Sequence, residues 1–209
     1  MSWVYNHSEQ VQHLREIHLL LLQMGCIKKL QLSFGTFLGA NRQGALNTKY
    51  ESTWDDLDFV FMDKDKDIII NTIFPELEKL GWRSDMVWWN PDGELSQITF
   101  IKGSDRLDIN QVFNYATHQH MYVHWIQAGP QILKKGLRSE YYTDIIEYNV
   151  DGVDFYGPRE GNKYCEDMYG ESWRIPCTSE TEYDYTSDSP GLPWWDRITF
   201  ENTTTHWRK

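Results

Sequence analysis

Residues 53–61 (TWDDLDFVF) place two carboxylates, Asp56 and Asp58, at the start of an apolar run that is typical of a β-strand. Residues two apart in a strand project from the same face, so the two aspartates are expected side by side while Leu57 and Phe59 enter the core. Like charges held this close repel each other unless a cation pairs with them. A hard divalent cation, above all Mg²⁺, meets that need, so the segment predicts phosphate chemistry, with a solvated strand edge as the alternative.

A second segment lies upstream of the aspartate pair. Residues 30–40 (LQLSFGTFLGA) predict a short alternating strand that runs to Phe34, then a turn and a short helix. Gly35 would let the backbone approach a phosphate closely, and Thr36 offers a hydroxyl and a helix-start N–H. An ordinary strand-to-helix turn is the alternative interpretation.

A third segment lies downstream. Residues 105–110 (DRLDIN) alternate as a strand does, with Asp108 between two apolar residues. If this strand pairs with the strand of Asp56 and Asp58, then Asp108 becomes a third carboxylate on the same face. The outward face of an ordinary strand is again the alternative, and the order of the three segments is what favours a site.

That order resembles the nucleotidyltransferase fold, and within it the LicD/fukutin-type phosphotransferases. Residues 34–42 (FGTFLGANR) resemble the family element G-T-x-L-G-x-x-R, and 54–58 (WDDLD) is similar to W-D-D-D-I-D. Residues 106–109 (RLDI) are similar to L-D-I-F, and 164–176 (YCEDMYGESWRIP) resemble the terminal Y-G-x-x-W-x-I-P. The chain departs from bacterial members by lacking one aspartate and by a longer interval before the pair, which predicts an extended loop over 43–52.

The resemblance implies an enzyme that transfers a phospho-alcohol, such as phosphocholine or phosphoribitol, from a CDP-activated donor to a sugar hydroxyl of a glycan and releases CMP. It implies Mg²⁺, or Mn²⁺, held by Asp56 and Asp58, with Asp108 completing the metal site or accepting the proton of the attacking hydroxyl. Gly35 and Thr36 would cradle a phosphate. Arg42 would add a contact to it, unless it is an ordinary surface charge.

Two other functions stay open. A nucleotidyltransferase that moves NMP from an NTP to a small-molecule hydroxyl would use the same carboxylates and release pyrophosphate. A non-catalytic member would bind a ligand without depending on Mg²⁺. The intact acidic residues count against the non-catalytic member, and the terminal element with Tyr169, Gly170, Trp173 and Pro176 favours the phosphotransferase.

The net charge of −11 argues against binding to nucleic acid or to anionic lipid through a basic surface. The N-terminal residues lack a basic signal-peptide start, and the apolar run at 19–22 is too short to span a bilayer. We therefore expect a cytoplasmic protein with no stable membrane insertion. Because Cys26, Cys165 and Cys177 are odd in number and form no C-x-x-C pair, reduced thiols are expected.

The predicted fold is α+β (α/β), with a nucleotidyltransferase-like mixed β-sheet flanked by helices in one domain over 1–176 and an irregular tail over 177–209. Ser8 is predicted to cap a helix over 9–24 that Gly25 ends. The other predicted elements are a helix over 64–80 that Pro75 could interrupt, three strands within 82–112, a strand over 148–155 and a helix from near Pro158.

Aromatic and histidine residues offer further candidates. Aromatic residues make up 15% of the chain, and Trp88, Trp89, Trp194 and Trp195 could stack on a sugar or a base, although core packing is the default interpretation. In residues 118–124 (HQHMYVH), a helix would place His120 and His124 on one face with the spacing of zinc ligands. Ordinary structural histidines are the favoured interpretation, because no third ligand can be named.

Overall fold

The structure, a computed structural model, shows an α+β fold in which a mixed β-sheet is flanked by helices. This confirms the predicted fold class at the level of a mixed sheet with flanking helices. The described residues are 6–47, 56–89, 93–114, 119–125, 131–138, 140–175, 195–199 and 203–204.

The helices are α1 (His7–Gln23), α2 (Phe34–Gln43), α3 (Lys66–Ile68), α4 (Phe74–Lys79), α5 (Glu140–Thr143) and α6 (Gly161–Tyr169), with 3₁₀ turns at Asp63–Asp65 and Glu171–Arg174 and a π turn at Ile69–Ile73. The strands are β1 (Gln31–Leu32), β2 (Leu57–Met62), β3 (Arg83–Trp89), β4 (Leu95–Lys102), β5 (Asp105–Asn114), β6 (Gln119–Trp125), β7 (Gln131–Leu137), β8 (Ile145–Val150), β9 (Val153–Pro158), β10 (Trp195–Thr199) and β11 (Thr203–Thr204). No helix in this described part of the chain is both long and apolar enough to cross a bilayer.

The sheet is built around two parallel neighbours, β2 and β5. β2 pairs antiparallel with β1 on its other side, while β5 also pairs antiparallel with β4 and β6. The strand order continues through β4 to β3 and β11, and through β6 to β7 and β10, whereas β8 and β9 form a separate hairpin. Because β2 and β5 are adjacent strands, the residues that their register pairs lie side by side.

The apolar face of these two strands forms the centre of the core. Leu57 and Phe59 of β2, together with Leu107 and Ile109 of β5, are fully buried. The ring of Phe59 packs edge-on against Phe155 of β9. Burial of each such side chain contributes roughly 1.5–3 kcal/mol. Because this apolar face has to be buried, the polar residues of β2 and β5 lie on the opposite face.

Helix α1 begins two residues earlier than predicted. Asn6, rather than Ser8, is the N-cap, and its side-chain oxygen accepts hydrogen bonds from the backbone N–H of Ser8 and Glu9. The side chain of Asn6 thereby satisfies N–H groups that have no intrahelical partner. The predicted end is confirmed, because Gly25 follows the last turn with a φ of +65°.

The helix predicted over 64–80 is present in segments, and Pro75 does not stop it. A π turn over Ile69–Ile73 precedes α4, and Pro75 lies in the first turn of α4. Proline lacks an N–H and collides with the carbonyl four residues earlier, and the wider π turn accommodates both effects. The chain leaves this segment at Gly81, which has a φ of +92°.

The single strand predicted over 148–155 is wrong, because the chain reverses within it. β8 and β9 form a hairpin whose turn residues, Asp151 and Gly152, have φ values of +50° and +81°. Positive φ at both positions is typical of a type I′ hairpin turn, and Asp-Gly is among its preferred dipeptides. The following helix, expected near Pro158, begins at Gly161.

Part of the C-terminal segment joins the sheet. β10 pairs antiparallel with β7, and β11 pairs antiparallel with β3. The irregular tail predicted over 177–209 is therefore wrong for these two stretches. Residues 176–194, 200–202 and 205–209 lie outside the described part, and so does the second half, 48–52, of the extended loop predicted over 43–52.

Two of the three cysteines are buried free thiols. Cys26 and Cys165 are unpaired within the described residues, as predicted, and Cys177 lies outside them. Burial raises the pKa of the Cys165 thiol to about 12. Both described cysteines therefore act as small apolar side chains of the core.

Candidate functional site

The parallel register of β2 and β5 places Asp58 directly beside Asp108. Asp56 immediately precedes β2, two residues before Asp58, so both project from the face opposite Leu57. The structure thus brings together the three carboxylates predicted from the sequence on one face of the sheet. Asp56 and Asp58 are partly exposed, whereas Asp108 is only 9% exposed.

Two side chains that the sequence analysis did not select contact Asp108. Thr99 of β4 shares its register and donates a hydrogen bond of 2.5 Å to Oδ1 of Asp108. Arg106 lies two residues before Asp108 on β5, with its Nη2 3.9 Å from the same oxygen. The Nε of Arg106 is also 3.6 Å from Oδ2 of Asp56. One guanidinium therefore lies near two of the three carboxylates.

The environment of Asp108 disfavours its charge. Burial, followed by the neighbouring charge of Asp56, raises the pKa of Asp108 to about 7, although Arg106 and Thr99 act in the opposite direction. A carboxylate that is costly to ionise gains most from a cation placed beside it. The polar face of β5 is therefore suited to a bound cation.

Gly35 and Thr36 lie in the first turn of α2 and connect it to the aspartates. The backbone N–H of Gly35 donates to Oδ2 of Asp58 at 3.1 Å. The hydroxyl of Thr36, which is fully buried, accepts from the backbone N–H of Asp58 at 2.7 Å and donates to the carbonyl of Asp56 at 3.2 Å. In this structure both residues orient the aspartate segment, and the Thr36 hydroxyl is engaged with backbone groups.

The turn into α2 is held in an unusual conformation. Phe34, predicted as the last strand residue, is instead the first helical residue and has a φ of +40°. A non-glycine residue in this region costs about 1–3 kcal/mol, so surrounding contacts must hold it. Tyr164 of α6 supplies them, since its hydroxyl accepts from the N–H of Phe34 and lies 3.0 Å from Oγ of Ser33. Burial raises the pKa of Tyr164 to about 12.

Arg42, predicted to contact a phosphate, contacts Asn47 in this structure. Its Nη2 donates to Oδ1 of Asn47 at 3.0 Å, and Nδ2 of Asn47 donates to the carbonyl oxygen of Gly35 at 3.0 Å. Arg42 thereby supports the turn that carries Gly35. Asn47 could not be selected from the sequence, because its contacts depend on how the chain folds back after α2.

Gly39, the second glycine of residues 34–42, leaves room for the chain to pass close to α2 as it folds back at Ala45 and Asn47. A Cβ at Gly39 would overlap the carbonyl oxygen of Ala45 and lie 3.0 Å from Oδ1 of Asn47. We expect Gly39→Ala to lower the free energy of unfolding by about 1–3 kcal/mol, because backbone atoms must shift. Alanine in a helix interior is normally favoured over glycine by roughly 0.5–1 kcal/mol. Urea denaturation measures the sign directly, and a gain in stability would contradict the tight approach.

The histidine group predicted as an alternative metal site does not form a helix. His120 and His124 lie on β6, while His118 is outside the described residues. Residues four apart in a strand are separated by about 13 Å, so these two cannot bind one zinc ion as helical i, i+4 ligands do. The helical spacing that this zinc alternative requires is therefore absent at His120 and His124.

Most of the described aromatic residues that the sequence analysis named are buried in the core. Tyr169 and Trp173 are 4% and 2% exposed, so they pack the end of α6 and the turn after it against the core. Trp88 is buried as well, and Trp89 is partly exposed. Trp194 and Pro176 lie outside the described residues, as does the side chain of Trp195.

Comparison with known proteins adds no relative. Neither the comparison with protein-family models nor the comparison with curated proteins finds a match for this sequence. The resemblance to LicD/fukutin-type phosphotransferases therefore rests on the motifs in residues 34–42, 54–58, 106–109 and 164–176 and stays a prediction. What the chain can do has to be argued from the geometry around the three aspartates.

Proposed function

We propose that this protein is a Mg²⁺-dependent transferase that moves a phospho-alcohol from a CDP-activated donor to a sugar hydroxyl and releases CMP. The observation that carries the proposal is the parallel register that sets Asp58 beside Asp108, with Asp56 on the same face. These are the three acidic positions of the family-like motifs, and they lie on one face of the sheet although their segments are about fifty residues apart in sequence.

The residues present fit a divalent cation. Within the described ranges, no three His, Cys, Asp or Glu side chains are already gathered as a metal-binding group. Carboxylate oxygens are nevertheless the ligands that Mg²⁺ prefers, and Asp56, Asp58 and Asp108 share one face of the sheet. Asp108 is buried and its pKa is raised, so a neighbouring cation would stabilise its charged form. When bound there, Mg²⁺ would neutralise charge on the donor diphosphate and on the leaving CMP.

The protein's own contribution is mostly positioning. Gly35 N–H and the Thr36 hydroxyl fix Asp58 and the backbone of Asp56 from the start of α2. Phosphoryl-type transfer needs little covalent chemistry from the enzyme, so holding charged groups in place supplies much of the catalysis. Asp108 either completes the cation site or accepts the proton of the sugar hydroxyl.

The alternative functions differ in donor and in metal dependence. Calorimetry with CDP-choline, CDP-ribitol, CDP-glycerol and the four NTPs, each with Mg²⁺ and with EDTA, separates them. We expect one CDP-alcohol to bind at least tenfold more tightly with Mg²⁺, since a cation held by Asp56, Asp58 and Asp108 would offset the charge of the diphosphate. Preference for an NTP would favour nucleotidyl transfer. Binding that ignores Mg²⁺ would favour a non-catalytic protein.

A further inference from the structure

Thr99 lies beside Asp108 on the polar face of the sheet. The register of β4 and β5 sets the two residues opposite each other, and the Thr99 hydroxyl donates a hydrogen bond of 2.5 Å to Oδ1 of Asp108. Donor–acceptor distances of about 2.5–2.7 Å are typical of a hydroxyl that donates to a charged carboxylate. The contact therefore fits Asp108 in its charged form, which is the form that binds a cation.

The position of the Thr99 hydroxyl is fixed by its surroundings. Thr99 is fully buried in β4, which pairs at this residue with Met86 of β3 on one side and with Asp108 of β5 on the other. A β-branched side chain has a restricted χ1, so the hydroxyl does not readily turn away. The carboxylate lacks such a restraint, because the terminal torsion of an aspartate has a broad distribution. Thr99 is thus a rigid donor beside a carboxylate that would otherwise rotate.

The contacts of Asp108 distinguish its two oxygens. The Thr99 hydroxyl and, at 3.9 Å, Nη2 of Arg106 both approach Oδ1, so a cation is expected to meet Asp108 at Oδ2. Asp58, the register neighbour of Asp108, is oriented in a comparable way, since its Oδ2 accepts a hydrogen bond from the N–H of Gly35. Two different elements, α2 and β4, therefore orient the two neighbouring carboxylates.

We propose that Thr99 is a positioning residue that directs Oδ2 of Asp108 toward the bound cation. This inference rests on the proposed function. A cation that binds Asp108 has to stop the rotation of its carboxylate, and the hydrogen bond from Thr99 restrains that rotation before the cation arrives. Partners that orient a metal-binding side chain are worth roughly 10–100-fold in metal affinity. Thr99 thus belongs to the site although it binds no ligand itself.

Mn²⁺ binding followed by electron paramagnetic resonance tests this role without a measurement of activity. We expect Thr99→Val and Thr99→Ala to bind Mn²⁺ roughly 10–100-fold more weakly than wild type, because both lack the hydroxyl. Thr99→Ser keeps the hydroxyl and should stay near wild type. Ser96→Ala is the matched control and should also stay near wild type. Ser96 is a buried hydroxyl on the opposite face of β4, where it donates to the carbonyl oxygen of Trp88.

The outcomes separate this inference from the proposed function. Urea denaturation in EDTA verifies that each variant is folded, and Thr99→Ala, which adds no atoms, replaces Thr99→Val if the latter does not fold. If wild type binds Mn²⁺ and the folded variants without the hydroxyl bind it equally well, the positioning role is wrong while the metal site stands. A loss in Thr99→Ser as large as in Thr99→Val also overturns it, because the effect then does not follow the hydroxyl. If wild type itself binds no Mn²⁺, the proposed cation site fails and this inference fails with it.

Discussion

Asp58→Asn is expected to reduce transferase turnover about a thousandfold or more while leaving the protein folded. The change removes one negative charge from the site but keeps an oxygen that can accept the hydrogen bond from the N–H of Gly35. Because it also relieves the expected repulsion between Asp58 and Asp56 on the same face, the melting temperature should stay within a few degrees of wild type or rise. Turnover of the accepted donor and thermal unfolding in EDTA measure the two effects.

Asp63→Asn is the matched control for this substitution. Asp63 follows β2 directly, is partly exposed, and contacts Gln111 and Lys66 rather than the proposed site. Its replacement should leave turnover near the wild-type rate. A large loss of folded protein in Asp58→Asn would instead show that Asp58 is structural, and full activity would remove it from the proposed mechanism.

Asp105→Ala is expected to cost about 3 kcal/mol or more of stability. Asp105 is fully buried under α1, where its Oδ2 accepts a hydrogen bond of 2.6 Å from Nδ1 of His13. Removing the carboxylate leaves the buried imidazole of His13 without that partner. Urea denaturation followed by circular dichroism measures the loss.

Two comparisons isolate the buried pair. The double variant His13→Leu with Asp105→Leu removes both polar groups and should recover much of the stability, since the cost lies in leaving one partner unpaired. Glu16→Gln removes the charge from the partly exposed pair of Glu16 with Lys102, which also joins α1 to the β4–β5 hairpin, and should cost less than 1 kcal/mol. If Asp105→Ala behaves like Glu16→Gln, the pair does not anchor α1.

The central strands were predictable because their sequences alternate clearly. In 57–62 and 105–110, charged and apolar residues alternate over the first positions, and the strands form there. Period-two alternation with one apolar face leaves only one register that buries that face. The alternation also predicted that Asp56 and Asp58 would lie on the face of β2 opposite Leu57 and Phe59.

The errors arose where two local signals competed or where a turn signal was overlooked. Asn6 and Ser8 are both good capping residues, and only the packing of α1 decides which one is used. Asp151-Gly152 is a strong hairpin signal, but the apolar residues on both sides favoured one continuous strand. The π turn that accommodates Pro75 has no signature in a single sequence.

The site was only half predictable for a different reason. The carboxylates and the Gly-Thr turn could be found by motif, because each belongs to a short segment with a recognisable local pattern and the segments follow in a recognisable order. Thr99 reaches Asp108 through strand pairing, and Tyr164 reaches Phe34 across 130 positions, so neither was available from local patterns. Arg106 could have been found, since it shares a strand face with Asp108.

Nucleotide release by the purified protein tests the central claim most directly. CDP-choline, CDP-ribitol, CDP-glycerol and the four NTPs would each be incubated with increasing Mg²⁺, and mass spectrometry would identify the products, with water replacing the absent sugar hydroxyl. The account predicts slow, Mg²⁺-dependent release of CMP from one of these donors, and none from Asp58→Asn. Release of pyrophosphate from an NTP, or CMP formation that persists in EDTA, would contradict it.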